Sequence, residues 1–347
     1  MDIVGLTPYE ENYYSRQIVL QEVGLNGQLQ LKKSHVLIAG IGALGSQLAV
    51  QLASIGVGYI RLVDRDIVEV SNLQRQHIYS VDVLGYPKVE AAAKRLNKLN
   101  PNIEVDPIPT SVNSLTVDKL LEGIDLTVDG LDRMAPRYTL NRACYQRKIP
   151  YIYGAAITNT GSVSTIIPDK TACLECFQGG VDDDAIPTCA TVGVTPSIIG
   201  IIASIQTSEA MKILLGKEPA LAGKLLFCDL SDLSFETVHL SRAKFCPVCS
   251  DKKVNTKIKQ DEIEEICGRE GRKVFTITPK KECIINVDKV TRLAKTRGYE
   301  IGVKADLGVT FTVNNVRASV FCTGVAVIEG ANSRDEAWSI YREVIEG

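Results

Sequence analysis

"HVLIAGIGALGS", residues 35–46, decides the fold. Its short apolar run closes on a glycine, which reads as a strand buried on both faces of a parallel sheet. "LGSQLAVQLASIG" (44–56) then reads as a helix stopped at Gly56, and "YIRLVD" (59–64) as the next strand. Gly40, Gly42 and Gly45 stand at the strand-to-helix junction. Missing side chains there let the backbone approach a phosphate, and the helix N-terminus offers unpaired N–H groups and a positive dipole end. Asp64 ends the second strand, where a carboxylate can bind ribose hydroxyls. Taken alone, this is a dinucleotide fingerprint whose ordinary owner is an NAD(P)-dependent enzyme.

The surroundings extend the pattern. "KVEAAAKRLNKLN" (88–100) has helix formers and a stop at Pro101, and "IEVDPIP" (103–109) and "DLTVDG" (125–130) are further strand candidates. This alternation predicts an α/β fold, a doubly wound Rossmann-like and mostly parallel sheet, through about residue 155. "SVSTIIP" (162–168) and "LLFCDL" (225–230) extend the sheet, and "SIIGIIASIQTSEAMKILLG" (197–216) reads as a long buried helix. Residues 8–31 look like a helix pair. After Cys249 the charged stretch "SDKKVNTKIKQDEIEE" reads as a linker. Short alternating strands follow, "VFTIT", "EIGVKA", "VTFTV" and "VRASVF", the last two joined at Asn314-Asn315, before a closing helix over 333–346. The expected division is a unit over 1–250 and a small α+β domain over 256–347.

Composition narrows the class. The 347 residues are 45% hydrophobic and 23% charged with a net charge of −2, which gives no basic surface for nucleic acid. The N-terminus lacks the basic start and apolar run of a signal peptide, and "SIIGIIASI" is too short to span a bilayer. The expectation is a cytoplasmic protein with no membrane partner, in which ten cysteines are not a disulfide framework. Only three histidines, His35, His77 and His239, are present, so chemistry that needs an imidazole base is disfavoured.

"NLQRQ" (72–76) overturns the NAD reading. Arg75 brings a fixed fork of donors for phosphate oxygens, and Asn72 and Gln76 add neutral polar groups. Lys88 opens the next helix as a mobile point charge. Two cations beside a glycine-rich loop suit a triphosphate. Asp129 and Asp132, in "TVDGLDR", lie past another strand end, where a carboxylate can hold Mg²⁺ against phosphates. Any one of these charges alone is what a solvated surface shows. Together they mark a site.

"SRQIVL", "GIGALGS", "LVDRDIVEVSNLQRQ", "GYPKVEAA", "YGAAI", "CLEC", "TCATVGV" and "CPVC" occur in order over roughly residues 8–250. In this the chain closely resembles the MoeB/ThiF family of adenylating enzymes, relatives of the ubiquitin-activating enzymes. The resemblance implies use of ATP and Mg²⁺ to adenylate the C-terminal glycine carboxylate of a ubiquitin-like sulfur-carrier or modifier protein, with release of pyrophosphate. It implies that Asp64 binds the ribose, Arg75 and Lys88 the phosphates, and Asp132 magnesium. It also implies a homodimer in which Arg16 reaches into the partner subunit's site. Within the fold, a small-molecule carboxylate is the alternative substrate. A catalytically silent scaffold or heterodimer subunit is the alternative of another class, disfavoured because these residues are retained. A carboxylate is already ionised near neutral pH, so the shortage of histidines fits attack without a base.

Two C-x-x-C pairs, Cys173/Cys176 and Cys246/Cys249, can supply four thiolates to a structural Zn²⁺. Cys189 lies in "DDDAIPTCATVGV", where family members often carry a cysteine that links covalently to the activated carrier. Asp182–Asp184 beside it would raise a thiol pKa. Arg133 stands where relatives often have asparagine, and no rhodanese-type motif follows. The final Gly347 comes straight after a helix, so a fused carrier tail is not expected. Dimerisation or partner capture is the default role for the C-terminal domain, whose Cys267, Cys283 and Cys322 read as core thiols.

Overall fold

The computed structural model describes residues 5–183, 189–250, 262–267, 273–280 and 283–345. Three helices open it, α1 (Pro8–Tyr13), α2 (Ser15–Ile18) and α3 (Gly24–Lys33), where the sequence suggested a pair. The extra break falls at Tyr14, which leaves helical geometry and is buried with its hydroxyl accepting from Asn100 Nδ2 at 2.7 Å.

Five parallel strands form one side of the main sheet: β1 (His35–Ala39), β2 (Tyr59–Val63), β3 (Glu104–Ile108), β4 (Leu126–Asp129) and β5 (Tyr151–Ile157). Three antiparallel strands, β6 (Thr160–Ile166), β7 (Lys224–Asp229) and β8 (Ser234–His239), continue the sheet in the order β3-β2-β1-β4-β5-β6-β7-β8. Their connections carry α4 (Ala43–Ser54), α5 (Lys88–Leu99), α6 (Val117–Leu120), α7 (Met134–Arg147), α8 (Leu174–Phe177), α9 (Cys189–Val192) and α10 (Pro196–Leu214). Val36 and Ile38 of β1 pack into the core that holds Leu48, Leu52 and Ile202. Leu37 and Ala39 face the other way, towards Leu140 and Tyr151. Helices on both faces explain why β1 is apolar at every core position. Pro107 is tolerated in β3 because that strand is a sheet edge.

Helix α10 runs 19 residues and is long and apolar enough to cross a membrane by length and composition alone, more than "SIIGIIASI" suggested. Its packing is that of a core helix. Ile198, Ile199, Ile202 and Ala203 are buried in the main cluster. Glu209, also buried, accepts from Thr165 Oγ1, Lys212 Nζ and the N–H groups of Ala220 and Leu221.

A second sheet follows. Strands β9 (Ile263–Cys267), β10 (Lys273–Ile277), β11 (Glu300–Lys304), β12 (Gly308–Val313), β13 (Val316–Phe321) and β14 (Ala326–Glu329) lie antiparallel in the order β11-β12-β13-β14-β10-β9. Helices α11 (Val287–Thr296) and α12 (Arg334–Ile345) cover one face, over Phe275, Ile277, Phe311, Ala326 and Ile328. Asn314 and Asn315 both take positive φ, 48° and 65°, as a two-residue hairpin turn requires. The linker expected through residue 265 gives way to β9 at Ile263, and neither α11 nor β14 was anticipated. Gly347 lies outside the described residues.

Candidate nucleotide site

The strand order reverses between β1 and β4, and a cavity of about 1050 Å³ opens beyond the carboxyl ends of these strands. This is the crevice in which open α/β sheets bind ligands. Its floor is the glycine loop. Gly40 takes φ +83°, and a Cβ there would lie 2.7 Å from the Gly130 carbonyl oxygen. A Cβ on Gly45 would lie 1.8 Å from the Gly40 carbonyl oxygen, so α4 can approach β1 only with glycine there. Around Gly42 a Cβ would meet nothing closer than Gln76 Nε2 at 4.0 Å, so that face is open to a ligand. Gly42 caps α4 with no side-chain acceptor, which leaves the first N–H groups of a buried helix for an anion.

Asp64 is tied to this loop. One carboxylate oxygen accepts from Ile41 N at 2.7 Å and the other from Asp66 N at 2.8 Å. Burial raises its pKa, against the pull of Lys88. Lys88 is buried at 6% exposure and donates to Asp66 at 2.9 Å. Burial alone would lower its pKa, but the charges of Asp66 and Asp64 outweigh that and hold the ammonium protonated. Arg75 lines the same cavity with Nη1 on the Ser71 carbonyl at 2.7 Å. Asn72 and Gln76 also line it and are buried. Asn72 Oδ1 accepts from Glu69 N at 3.0 Å, so part of its work is to shape the turn. Gln76 Oε1 has no hydrogen-bond partner among the described residues.

The two acidic candidates after β4 separate. Asp129 is fully buried, accepting from Arg137 Nε at 2.9 Å, Tyr151 OH at 2.6 Å and Leu131 N at 2.8 Å. It faces these donors and does not line the crevice. Asp132 is exposed on the crevice wall, and its charge acts on both Lys88 and Arg137. An exposed carboxylate in a crevice lined by Arg75 and Lys88 is the kind of ligand Mg²⁺ takes, one or two carboxylates plus substrate phosphates.

Sequence reasoning passed over Arg137 and read Asp183 only as part of the acidic run beside Cys189. Arg137 is buried and spans the site, donating to Asp129, the Leu131 carbonyl and the Gly154 carbonyl. No signal in the sequence marks it, because the buried face of α7 also carries Thr139 and Asn141 and shows no apolar stripe against which a charge would stand out. Asp183 accepts from Met134 N at 2.6 Å and Ala135 N at 3.0 Å, capping α7 from 49 residues away. Of the acidic run beside Cys189, this carboxylate is therefore occupied elsewhere. Cys189 begins α9, and its side chain lies outside the described residues. Thr158 N bonds the Gly193 carbonyl, and Val194 lines the crevice. Arg16 is exposed on α2 and does not line its own chain's crevice. None of the three histidines lines it either.

The four paired cysteines meet. All four sulfur atoms lie within 4.8 Å of one another, with Cys173–Cys246 at 3.4 Å and Cys176–Cys249 at 3.2 Å. A tetrahedral zinc with bonds of about 2.3 Å would set its sulfurs about 3.8 Å apart. Ala243 N and Val248 N donate to the Cys176 and Cys246 sulfurs. The donor set fits zinc, and closing it joins α8 to the chain after β8. Cys283 and Cys322 take no part, and Cys144 is buried with its thiol pushed up to about 12, an inert core group.

The ThiF family profile matches residues 14–248. The chain belongs to the ThiF family. Among relatives of this ThiF-family chain, the SAMP-activating enzyme E1 of Haloferax volcanii is 41% identical over 73% of the chain and 92% of that protein. The molybdopterin-synthase adenylyltransferase of Escherichia coli is 37% identical over 70% of the chain and 98% of that protein. The crystal structure of E. coli MccB with ATP superposes at a TM-score of 0.61 and 26% identity, covering 70% of the chain and 75% of MccB. The family match ends before β9, so the six-stranded sheet lies outside it.

Proposed function

We propose that the protein is an adenylyltransferase that uses MgATP to activate the C-terminal carboxylate of a ubiquitin-like sulfur-carrier protein. The supporting observation is the convergence of the glycine loop, Asp64, Arg75, Lys88 and Asp132 on one crevice of a ThiF-family fold. In this reading Gly40, Gly42 and Gly45 admit the phosphates to the helix N-terminus, and Asp64 takes the ribose. Asn72 and Gln76 order the surrounding polar wall. Arg75 and Lys88 carry charge to the phosphates. Asp132 holds Mg²⁺, which when bound neutralises phosphate charge.

The chemistry needs no base. A carboxylate oxygen forms a bond to the α-phosphorus while the bond to the bridging oxygen breaks, and that electron pair leaves with pyrophosphate. A C-terminal carboxyl of pKa about 3.5 is ionised at neutral pH, so no proton has to move. Catalysis then rests on alignment and on stabilising the departing charge. That agrees with a crevice lined by cations and without histidine.

Arg16 is proposed to complete the site of a second copy in a homodimer. Exposed Val19, Leu20 and Leu25 beside it supply apolar surface for such a contact. The four cysteines are proposed to hold structural Zn²⁺, and Cys189 to attack the acyl-adenylate after it forms. The chain is proposed to divide into an adenylating unit over 1–250 and a small unit over 256–347. The names of the relatives, which include the sulfur carrier protein adenylyltransferase of Thermus thermophilus at 35% identity, favour a carrier protein over a small-molecule carboxylate. Carrier-dependent exchange of labelled pyrophosphate into ATP tests the reading. Exchange that requires Mg²⁺ and a carrier with an intact C-terminal glycine is expected, and exchange driven instead by small carboxylic acids contradicts it.

A further inference from the structure

The second sheet has one face under α11 and α12 and another turned to the nucleotide crevice. Strand alternation makes this plain. Phe275, Ile277, Ala326 and Ile328 enter the helix-covered core, while Val274, Thr276 and Val327 line the crevice. Register aligns them into a row. Thr276 pairs with Glu264 on one side and Val327 on the other, and Val327 pairs with Ser319, which pairs with Thr310. The row runs from Glu264, on the crevice wall, to Thr310, whose hydroxyl reaches the Gly85 carbonyl at 3.5 Å.

Where this wall stands follows from the sheet order. A nucleotide with phosphates over β1 at the glycine loop and ribose over β2 at Asp64 directs its base towards β3. The residues after β3, Ser111 to Asn113, line the crevice there. The second sheet meets that end: Arg65 Nη1 lies 3.4 Å from both Ser111 Oγ and Glu264 Oε2, and Thr323 Oγ1 donates to the Pro109 carbonyl at 2.6 Å. Two buried polar atoms on cavity-lining residues have no hydrogen-bond partner among the described residues at this end, Asn113 Nδ2 and Thr276 Oγ1. Thr276 is 1% exposed and Asn113 4%. Such orphans cost free energy unless a ligand meets them.

The same sheet braces the segment that carries the phosphate ligands. Arg317 bridges Glu69 and Glu329. Glu90 accepts from the N–H groups of Asp306 and Leu307 at 3.1 and 2.7 Å. A Cβ on Gly85 would lie 2.6 Å from Val303. Contact is thus made at both ends of residues 65–90, the stretch holding Asn72, Arg75, Gln76 and Lys88.

We propose that the six-stranded sheet is the base-end wall of the nucleotide site, with Glu264, Thr276 and Val327 facing the nucleobase, in place of the partner-capture or dimerisation role expected from sequence. The proposal rests on the adenylation reading. Its test compares ATP with inorganic tripolyphosphate, which has the phosphates and no base, as ligands of the full-length protein in Mg²⁺, by calorimetry. Val327→Trp, which fills the base end, is expected to weaken ATP at least tenfold and leave tripolyphosphate unchanged. Thr276→Val, which keeps shape and removes the hydroxyl, should weaken ATP roughly two- to tenfold, again without effect on tripolyphosphate. Arg75→Met should weaken both ligands. ATP affinity unchanged in both wall variants, or ATP and tripolyphosphate weakened in parallel by them, overturns the wall and leaves the adenylation reading standing. A wild-type protein that binds neither ligand overturns both.

Discussion

Asp129 and Asp132 lie three residues apart, and their substitution should have opposite consequences. Asp129 receives three hydrogen bonds, one of them from the buried Arg137 guanidinium. Asparagine cannot replace it, because one oxygen becomes an NH₂ that faces donors on whichever side it turns. The bonds from Tyr151 and Leu131 end on a charged acceptor, and Arg137 would also lose the carboxylate bonded to it. Breaking a buried pair from one side costs about 3–5 kcal/mol. Asp129→Asn should lose that much in urea unfolding, a fall in melting temperature of roughly 6–20 °C for a unit of this size. Asp132 is exposed, so Asp132→Asn should stay within about 0.5 kcal/mol of wild type. It should nevertheless abolish Mg²⁺-dependent pyrophosphate exchange. The reasoning is refuted if Asp129→Asn unfolds at the wild-type urea midpoint while losing exchange, for then Asp129 would be the metal ligand.

Freshly purified protein should carry one zinc per chain by elemental analysis. Cys249→Ser should lose most of it together with several degrees of thermal stability, since metal binding contributes folding free energy. Glu10 should make the N-terminal helices acid-sensitive. Burial raises its pKa, but the bonds from Lys32 and Thr7 outweigh this and the net shift is downward from 4.5. A depressed carboxyl contributes stability above its unfolded pKa and loses it as pH falls through the folded value. Unfolding midpoints should therefore drop below about pH 4.5, and Glu10→Gln should flatten that part of the profile. Cys189→Ala should leave pyrophosphate exchange within about twofold of wild type while removing any thioester-linked carrier, formed with release of AMP, seen in non-reducing mass spectra. A conjugate that forms equally well without Cys189 makes this residue a bystander.

The parallel half of the fold was legible because its signals are local. An apolar run, three glycines and an acidic strand end fall within 30 residues, and each has a backbone reason visible in the structure. The four cysteines were legible by spacing alone. Two kinds of feature were not. Edge strand β8 leaves Phe235 and Val238 about half exposed, so its sequence carries no contrast between a buried and an open face. Strand β9 was hidden by charge: Glu264 sits at the seam between the two sheets, paired with Arg65. Long-range partners were equally invisible. Nothing near Asp183 announces that it caps a helix starting at Met134, and nothing near Thr276 announces a nucleotide crevice. The site residues read from sequence lie in one chain segment or at strand ends. Those missed are held by contacts across the fold.

Intact-mass spectrometry of a ubiquitin-like sulfur carrier ending in Gly-Gly, incubated with the enzyme and MgATP, tests adenylation most directly. The expected result is a carrier heavier by one adenylyl group, absent without Mg²⁺, absent with Asp132→Asn and absent when the last glycine is removed. A carrier mass unchanged under all conditions, from a protein shown to bind ATP, would contradict the assignment of this crevice to carboxylate adenylation.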